Sequence, residues 1–272
     1  MQSKSLTSAL VISAAVALPS LAAADGLSPS ASAGALPSEL QAIVNGIDVT
    51  QTSRRFPSVF GAPSAVGPAG STGFVALTLT NPRQGISGEG WDGEASAGYT
   101  FGDAVDSVAL TFGVNIASLD GFGDDGSFFV NASRQIASSG SNRTYLGLQA
   151  ANIGAWGDAD EDDEAVAATL SHLTSFSSAG GDIPVQFTVG FAQDNTVEDD
   201  GSGDSDDGVF LGVGFGISEN FGASVSATET QLNLGVGFSV PSFPNVGFSA
   251  GEFDVTDNTE RRQSSVTAAF SF

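Results

Sequence analysis

From Ser71 onward the chain alternates, residue by residue, between apolar side chains and small or uncharged polar ones. Val108, Leu110, Phe112, Val114 and Ile116 interleave with Ala109, Thr111, Gly113 and Asn115; Leu232, Leu234, Val236, Phe238 and Val240 interleave with Asn233, Gly235 and Gly237. A period of two is the signature of a strand with two chemically different faces. The second face is the informative one. A soluble sandwich would place Lys, Glu and Arg there, yet only 14% of the chain is charged, too little to clothe an ordinary soluble domain. The pattern instead suits a strand whose apolar side meets lipid and whose polar side meets a barrel interior.

Twelve such segments can be counted. They begin near Val75, Ala95, Val108, Phe128, Leu146, Val166, Ile183, Val209, Phe221, Leu232, Val246 and Ser265, those at Val166 and Phe221 being the weakest. Missing one hairpin would change the number to ten or fourteen. The gaps between segments sort by parity. Every second gap, starting with the first, is longer and acidic, as in G-D-A-D-E-D-D-E and D-N-T-V-E-D-D-G-S-G-D-S-D-D-G; T-E-T-Q is the brief exception. The other gaps are short, as in G-D-A and S-E-N. Of the 31 acidic residues, 23 fall on the long-gap side. Long loops on one side of a membrane and tight turns on the other are expected of a transmembrane antiparallel up-and-down β-barrel, with both chain ends on the turn side. Closure pairs every backbone group, which hydrocarbon demands.

The N-terminal part differs. Lys4, an apolar run from Leu6 to Leu18 and the small residues Ala22-Ala23-Ala24 predict a secretory signal peptide over residues 1–24. Residues 25–70 are rich in Ser, Ala, Gly and Pro, and are expected to be irregular apart from one short helix. Ser38 would cap that helix, with Gln41 three residues on and Gly46 as its stop. This segment can be a linker, or a plug in the bore whose basic pair Arg54 and Arg55 seats among acidic rim groups. The barrel domain is residues 71–272.

The last strand carries a second kind of information. Val266, Ala268, Phe270 and Phe272 lie on one side, Ser265, Thr267, Ala269 and Ser271 on the other. Val266, Phe270 and Phe272 resemble the C-terminal assembly signal of Gram-negative outer-membrane β-barrel proteins, porin-like in type. That resemblance implies an outer-membrane location, recognition of the strand by the outer-membrane assembly machinery, and pairing of the last strand with the first.

Function follows from what faces inward. Thr111, Asn115, Gln186, Thr188, Gly212, Gly214, Asn233, Gly235, Ser265 and Thr267 are the expected lumen lining. The run of inward glycines suggests a narrow, water-filled passage, and acidic mouths would concentrate cations. The expected activity is passive diffusion of small polar or cationic solutes. The alternative is a non-conducting surface barrel whose acidic loops bind Ca²⁺ or a partner. Candidate oxygen ligands for Ca²⁺ are Asp160, Asp162, Asp199, Asp200, Asp204, Asp206 and Asp207, although no EF-hand spacing is present. A third reading, a secreted soluble β-protein, requires the apolar stripes to be core. Enzymatic chemistry is not expected: His172 is the one histidine, no nucleophile elbow stands near it, and its parity with Leu170 turns it outward. With no cysteine, thiolate metal sites and disulfides are excluded, no other cofactor is expected, and a charge of −23 argues against nucleic acid.

Overall fold

A computed structural model of the chain describes residues 58–82, 91–119, 121–157, 159, 164–178, 181–197, 205–260 and 262–272. The expected signal peptide, the short helix from Ser38 and the pair Arg54 and Arg55 lie outside the described residues. Twelve strands follow one another: β1 (Thr72–Thr80), β2 (Asp92–Gly102), β3 (Ala109–Ile116), β4 (Gly126–Ser139), β5 (Asn142–Trp156), β6 (Ala165–Ser178), β7 (Gly181–Val197), β8 (Ser205–Ser218), β9 (Phe221–Ala227), β10 (Leu232–Ser239), β11 (Val246–Phe253) and β12 (Gln263–Ser271). Each pairs antiparallel with its sequence neighbours, and β1 pairs with β12, closing the barrel. Both segments that the sequence marks as weakest are strands. β6 is the longer, at 14 residues; its alanines blunt the hydrophobic alternation without weakening the ladder.

The β1–β12 seam turns the sheet into a barrel. Phe74 pairs with Ser271, Thr78 with Thr267 and Thr80 with Ser265. Past the last rung, Gly73 N donates to Phe272 O at 2.8 Å and Phe272 N donates to Gly73 O at 2.9 Å. A Cβ on Gly73 would lie 2.5 Å from the Phe272 ring, so the glycine leaves room for the aromatic to cover the seam's end. Inside the barrel the Thr78 and Thr267 hydroxyls bond across the same seam at 2.8 Å, both fully buried.

Outside, the strands present Val75, Leu77, Leu79, Leu110, Leu146, Leu170, Val189, Leu211, Val236 and Val266, all well exposed. Exposure of so many large apolar side chains on every side is untenable in water, and is what a bilayer requires. Aromatic rings border this belt at two levels. At the rim carrying the short turns (the turn rim), Phe101 packs against both Tyr99 and Phe112, and Phe238 stacks on Phe248. At the rim carrying the long loops (the loop rim), Phe128 packs against Trp156, whose Nε1 donates to Gly123 O at 3.1 Å.

Thr267→Val keeps the shape of the seam but leaves the Thr78 hydroxyl without its partner. It should destabilise the barrel by about 1–3 kcal/mol, measured as a lower urea midpoint for unfolding in detergent micelles, with Thr78→Val/Thr267→Val recovering much of the loss.

Candidate functional site: the bore and the strap across it

All ten lining residues expected from the sequence are buried on the inward face. Several are tied to neighbouring inward residues along the wall. Thr100 and Thr111 share a hydrogen bond of 2.7 Å, Ser96 donates to Asn115 Oδ1, and Ser171 and Thr188 are joined at 3.1 Å. Ser265 is buried beside Thr267, and Gly214 faces Ser224 across the β8–β9 pair. This is a wall of hydroxyls, amides and glycines.

The wall does not enclose empty water along its whole length. Residues Ser58–Gly70 run through the bore as a strap with no strand or helix. The strap starts against β8–β11 and runs past β7, β6 and β5 to β4 and the turn between β2 and β3. Ser226 Oγ donates to Phe60 O at 2.6 Å, and Phe60 N donates to Ser224 Oγ at 2.9 Å. Thr188 Oγ1 donates to Pro63 O at 2.8 Å, and Gln186 Nε2 donates to Ser64 Oγ at 2.9 Å. Ala65 N donates to Ser171 Oγ at 2.9 Å, and Ser133 Oγ donates to Ala65 O. At the far end Ala104 N donates to Pro68 O at 3.0 Å. A buried irregular segment must pair its backbone groups somewhere. Here wall side chains supply most of the partners, and Pro63 and Pro68 remove two N–H groups that would otherwise need one.

Some of the inward glycines are where the strap's side chains sit, so at Gly212 and Gly235 the space expected to be open water is filled. A Cβ on Gly212 would meet Val59 Cγ1 at 2.4 Å. One on Gly235 would meet Phe60 Cβ at 2.2 Å, and one on Gly147 would meet Ala65 Cα at 2.7 Å. Gly251 lies under the far edge of the Phe60 ring, which also packs on Phe253 with centroids 4.6 Å apart. Gly61, in the left-handed backbone region at φ 69°, turns the strap beside Asn233. Val59, Ala62 and Phe210 form one buried apolar cluster with Ala167 and Ala192; Ala65, Ala104, Ala109 and Tyr145 form another.

Inward aromatics are a feature that the expected Gly/Ser/Thr lining missed. Phe74 stands over Gly98, Phe129 over Gly113 and Phe210 over Gly190, and the first two rings face each other at 6.4 Å. The adjacent pair Phe128-Phe129 held a clue, because neighbours in a strand cannot both face lipid. Beside the strap a small polar cavity, with room for about one water molecule, is bordered by Ser64, Asn131, Ser133, Gln149 and Thr169. Among the described residues the Gln149 side-chain amide nitrogen has no hydrogen-bond acceptor.

The remaining candidates lie apart from the bore's centre. Val266, Phe270 and Phe272 point outward and are 46%, 42% and 65% exposed. His172 is partly buried and on the outward parity, where its Nδ1 is 2.9 Å from Thr144 Oγ1. Asp160, Asp162, Asp199, Asp200 and Asp204 are outside the described residues. Asp206 and Asp207 are exposed at the loop-rim end of β8, and no group of three or more potential metal-ligating side chains forms among the described residues. Asp254, which the sequence reading did not single out, is fully buried at the loop rim. Its carboxylate accepts from Asn258 N, Thr259 N and Thr259 Oγ1 at 3.0, 3.0 and 2.8 Å, so it holds the β11–β12 loop.

No protein-family model and no curated protein matches the chain. Among solved structures it is similar to the KdgM porin in complex with disordered oligogalacturonate, with a TM-score of 0.48 and 9% identity, over 74% of this chain and 99% of that one. It is also similar to the Acinetobacter baumannii outer-membrane protein Omp33, with a TM-score of 0.47 and 10% identity over 74% and 98% of the two chains. An outer-membrane channel of Pseudomonas putida F1 follows at 0.44 and 10%, over 75% and 96%. Likeness at this level carries no argument about function, which has to be read from this chain's own residues.

The absence of native cysteine makes the strap easy to probe. In an Ala62→Cys protein the thiol should be shielded from water-soluble maleimides. Adding Gly235→Val, which drives a side chain into Phe60, should raise the labelling rate about tenfold or more, from an overpacking cost of roughly 1–3 kcal/mol.

Proposed function

We propose that the chain is a porin-like barrel of a Gram-negative outer membrane, that it passes small polar or cationic solutes by diffusion, and that the strap sets how open its bore is. The observation carrying this reading is the inward wall. Thr100, Thr111, Asn115, Gln186, Thr188, Asn233 and Thr267 are all buried there. Buried polar groups carry a desolvation cost unless they are paired, so a barrel serving only as an anchor has no need of them. A path for hydrated solutes does need them, because hydroxyls and amides can replace a solute's water shell. The manner of attachment agrees. Apart from Ala104 N to Pro68 O, the strap's hydrogen bonds to the wall described above are made to side-chain hydroxyls and amides, which water or a solute hydroxyl can replace one at a time. The acidic loop rim would draw cations toward the mouth and repel anions.

A second reading has its own supporting observation. Val59, Phe60 and Ala65 are seated on glycines with apolar contacts that water does not replace. If those seats hold in the membrane, the barrel conducts nothing, and its acidic loops, binding Ca²⁺ or a partner, are the working surface.

Planar-bilayer conductance separates the two. The full chain should give small or infrequent cation-selective steps, and a protein lacking residues 58–70 larger and steadier ones. Silence from both would favour the non-conducting barrel; anion selectivity in the reversal potential would defeat the cation reading.

The outward stripe Val266, Phe270 and Phe272 is assigned by the same reading to recognition by the outer-membrane assembly machinery. Deleting Phe272 should lower the amount of heat-modifiable barrel in the outer-membrane fraction severalfold while the precursor is still made; unchanged levels would refute the assignment.

A further inference from the structure

The described residues contain four basic side chains, Arg134, Arg143, His172 and Arg262. Arg262 pairs with Glu252 near the loop rim. The other three gather in β4–β6 toward the turn rim, within a chain of formal charge −23. Among the described residues neither Arg134 nor Arg143 has a carboxylate within ion-pair distance. Their parities differ. Arg143 pairs with Leu173, which packs against the buried cluster around Ala65, so Arg143 belongs to the bore side. Arg134 pairs with Leu146, and Leu146 with Leu170; both leucines are 40% exposed on the outward face. Arg134 is therefore an exposed arginine on the surface that meets lipid.

Its height on that surface is set by the ladder. β3 begins at Ala109, which pairs with Ser133, so Arg134 lies one position beyond the end of β3, where the apolar belt gives way to the rim. One outward position nearer the rim on the adjoining strands are Thr144 and His172, paired with each other and hydrogen-bonded. Beside them β4 bulges between Gln135 and Ala137, and Ile136 is 53% exposed. An unpaired guanidinium, a hydroxyl and an imidazole thus sit at the lower border of a leucine surface.

We propose that this patch is a docking site for an anionic phospholipid of the turn-side leaflet. The phosphate accepts from the Arg134 guanidinium and Thr144 at the border, and an acyl chain lies along Leu146 and Leu170. This rests on the bilayer reading above. Three considerations carry it. An arginine facing lipid near an interface turns its head toward phosphate rather than into hydrocarbon. A guanidinium offers a fork of donors that matches two phosphate oxygens. A strongly acidic protein gains nothing from general attraction to anionic lipid, so a local basic patch is the place where a headgroup can be held.

The test uses the full chain, reconstituted in vesicles of phosphatidylcholine alone or with phosphatidylglycerol, then extracted for native mass spectrometry of the retained lipid. Wild type should retain phosphatidylglycerol over phosphatidylcholine. Arg134→Gln should lower that preference about fivefold, the effect of losing one interfacial charge near a lipid surface, and Arg134→Lys, which keeps the charge but loses the fork, should fall between the two. Arg143→Gln, on the other parity, should leave it unchanged. Equal retention by wild type and Arg134→Gln in correctly folded, heat-modifiable protein would overturn the site alone. Failure of wild type to float with vesicles of either composition would overturn the bilayer reading and the site with it.

Discussion

The hydrogen bonds between β1 and β12 are the constraint on which everything else in this molecule depends. Eleven neighbouring strand pairs can form as hairpins, one after another, but each still leaves two bare edges. In hydrocarbon an unpaired N–H or C=O costs several kcal/mol, so a sheet with free edges cannot exist there. The rungs from Phe74–Ser271 to Thr80–Ser265, and the reciprocal bonds between Gly73 and Phe272, remove both edges at once. Closure divides the side chains into a lipid-facing set and a bore-facing set, because parity along a strand then has only two destinations. The aromatic borders, the polar wall and the outward arginine all acquire their meaning from that division.

Inside, the same division creates a packing problem. A twelve-stranded barrel is wider than one that Ser, Thr and Gly can fill. Three solutions coexist. Neighbouring hydroxyls and amides bond along the wall, as Thr100 does with Thr111. Inward aromatics such as Phe129 lean over glycines on the next strand, Gly113 in that case. Across the rest of the wall, a segment from outside the sheet is laid in. The strap is compatible with burial because its prolines lack N–H groups and its carbonyls meet wall hydroxyls. It has strong shape complementarity and exchangeable polar anchors. Those two properties favour different functional readings, and the balance between them decides whether solutes pass.

Strand number, register parity and loop sidedness were legible in the sequence because each depends on local spacing. The ten lining residues, from Thr111 to Thr267, needed only the rule that alternate residues share a face. Phe74, Phe129, Tyr145 and Phe210 share that inward parity, but nothing local shows what an inward ring would pack against. In composition they resemble lipid-facing ones, and their glycine partners lie on other strands. The strap was less legible still. S-V-F-G-A-P-S-A-V-G-P-A-G has no period, and its seat is assembled from Gly147, Gly212, Gly235 and Gly251, which are distant from it and from one another along the chain.

What the sequence determined by itself is a barrel with a lipid face, a polar lining and acid concentrated on one side. Those properties are sums of local preferences, repeated strand after strand. What only the tertiary structure decided is what stands within the lining and which outward residues become neighbours. Gly235 is an opening until Phe60 is laid on it, and Arg134 is an isolated charge until the β4–β5–β6 register sets Thr144 and His172 at its border. Both outcomes depend on distances between residues far apart in the chain. Closure of the ladder fixes those distances, and hydrophobic periodicity does not encode them.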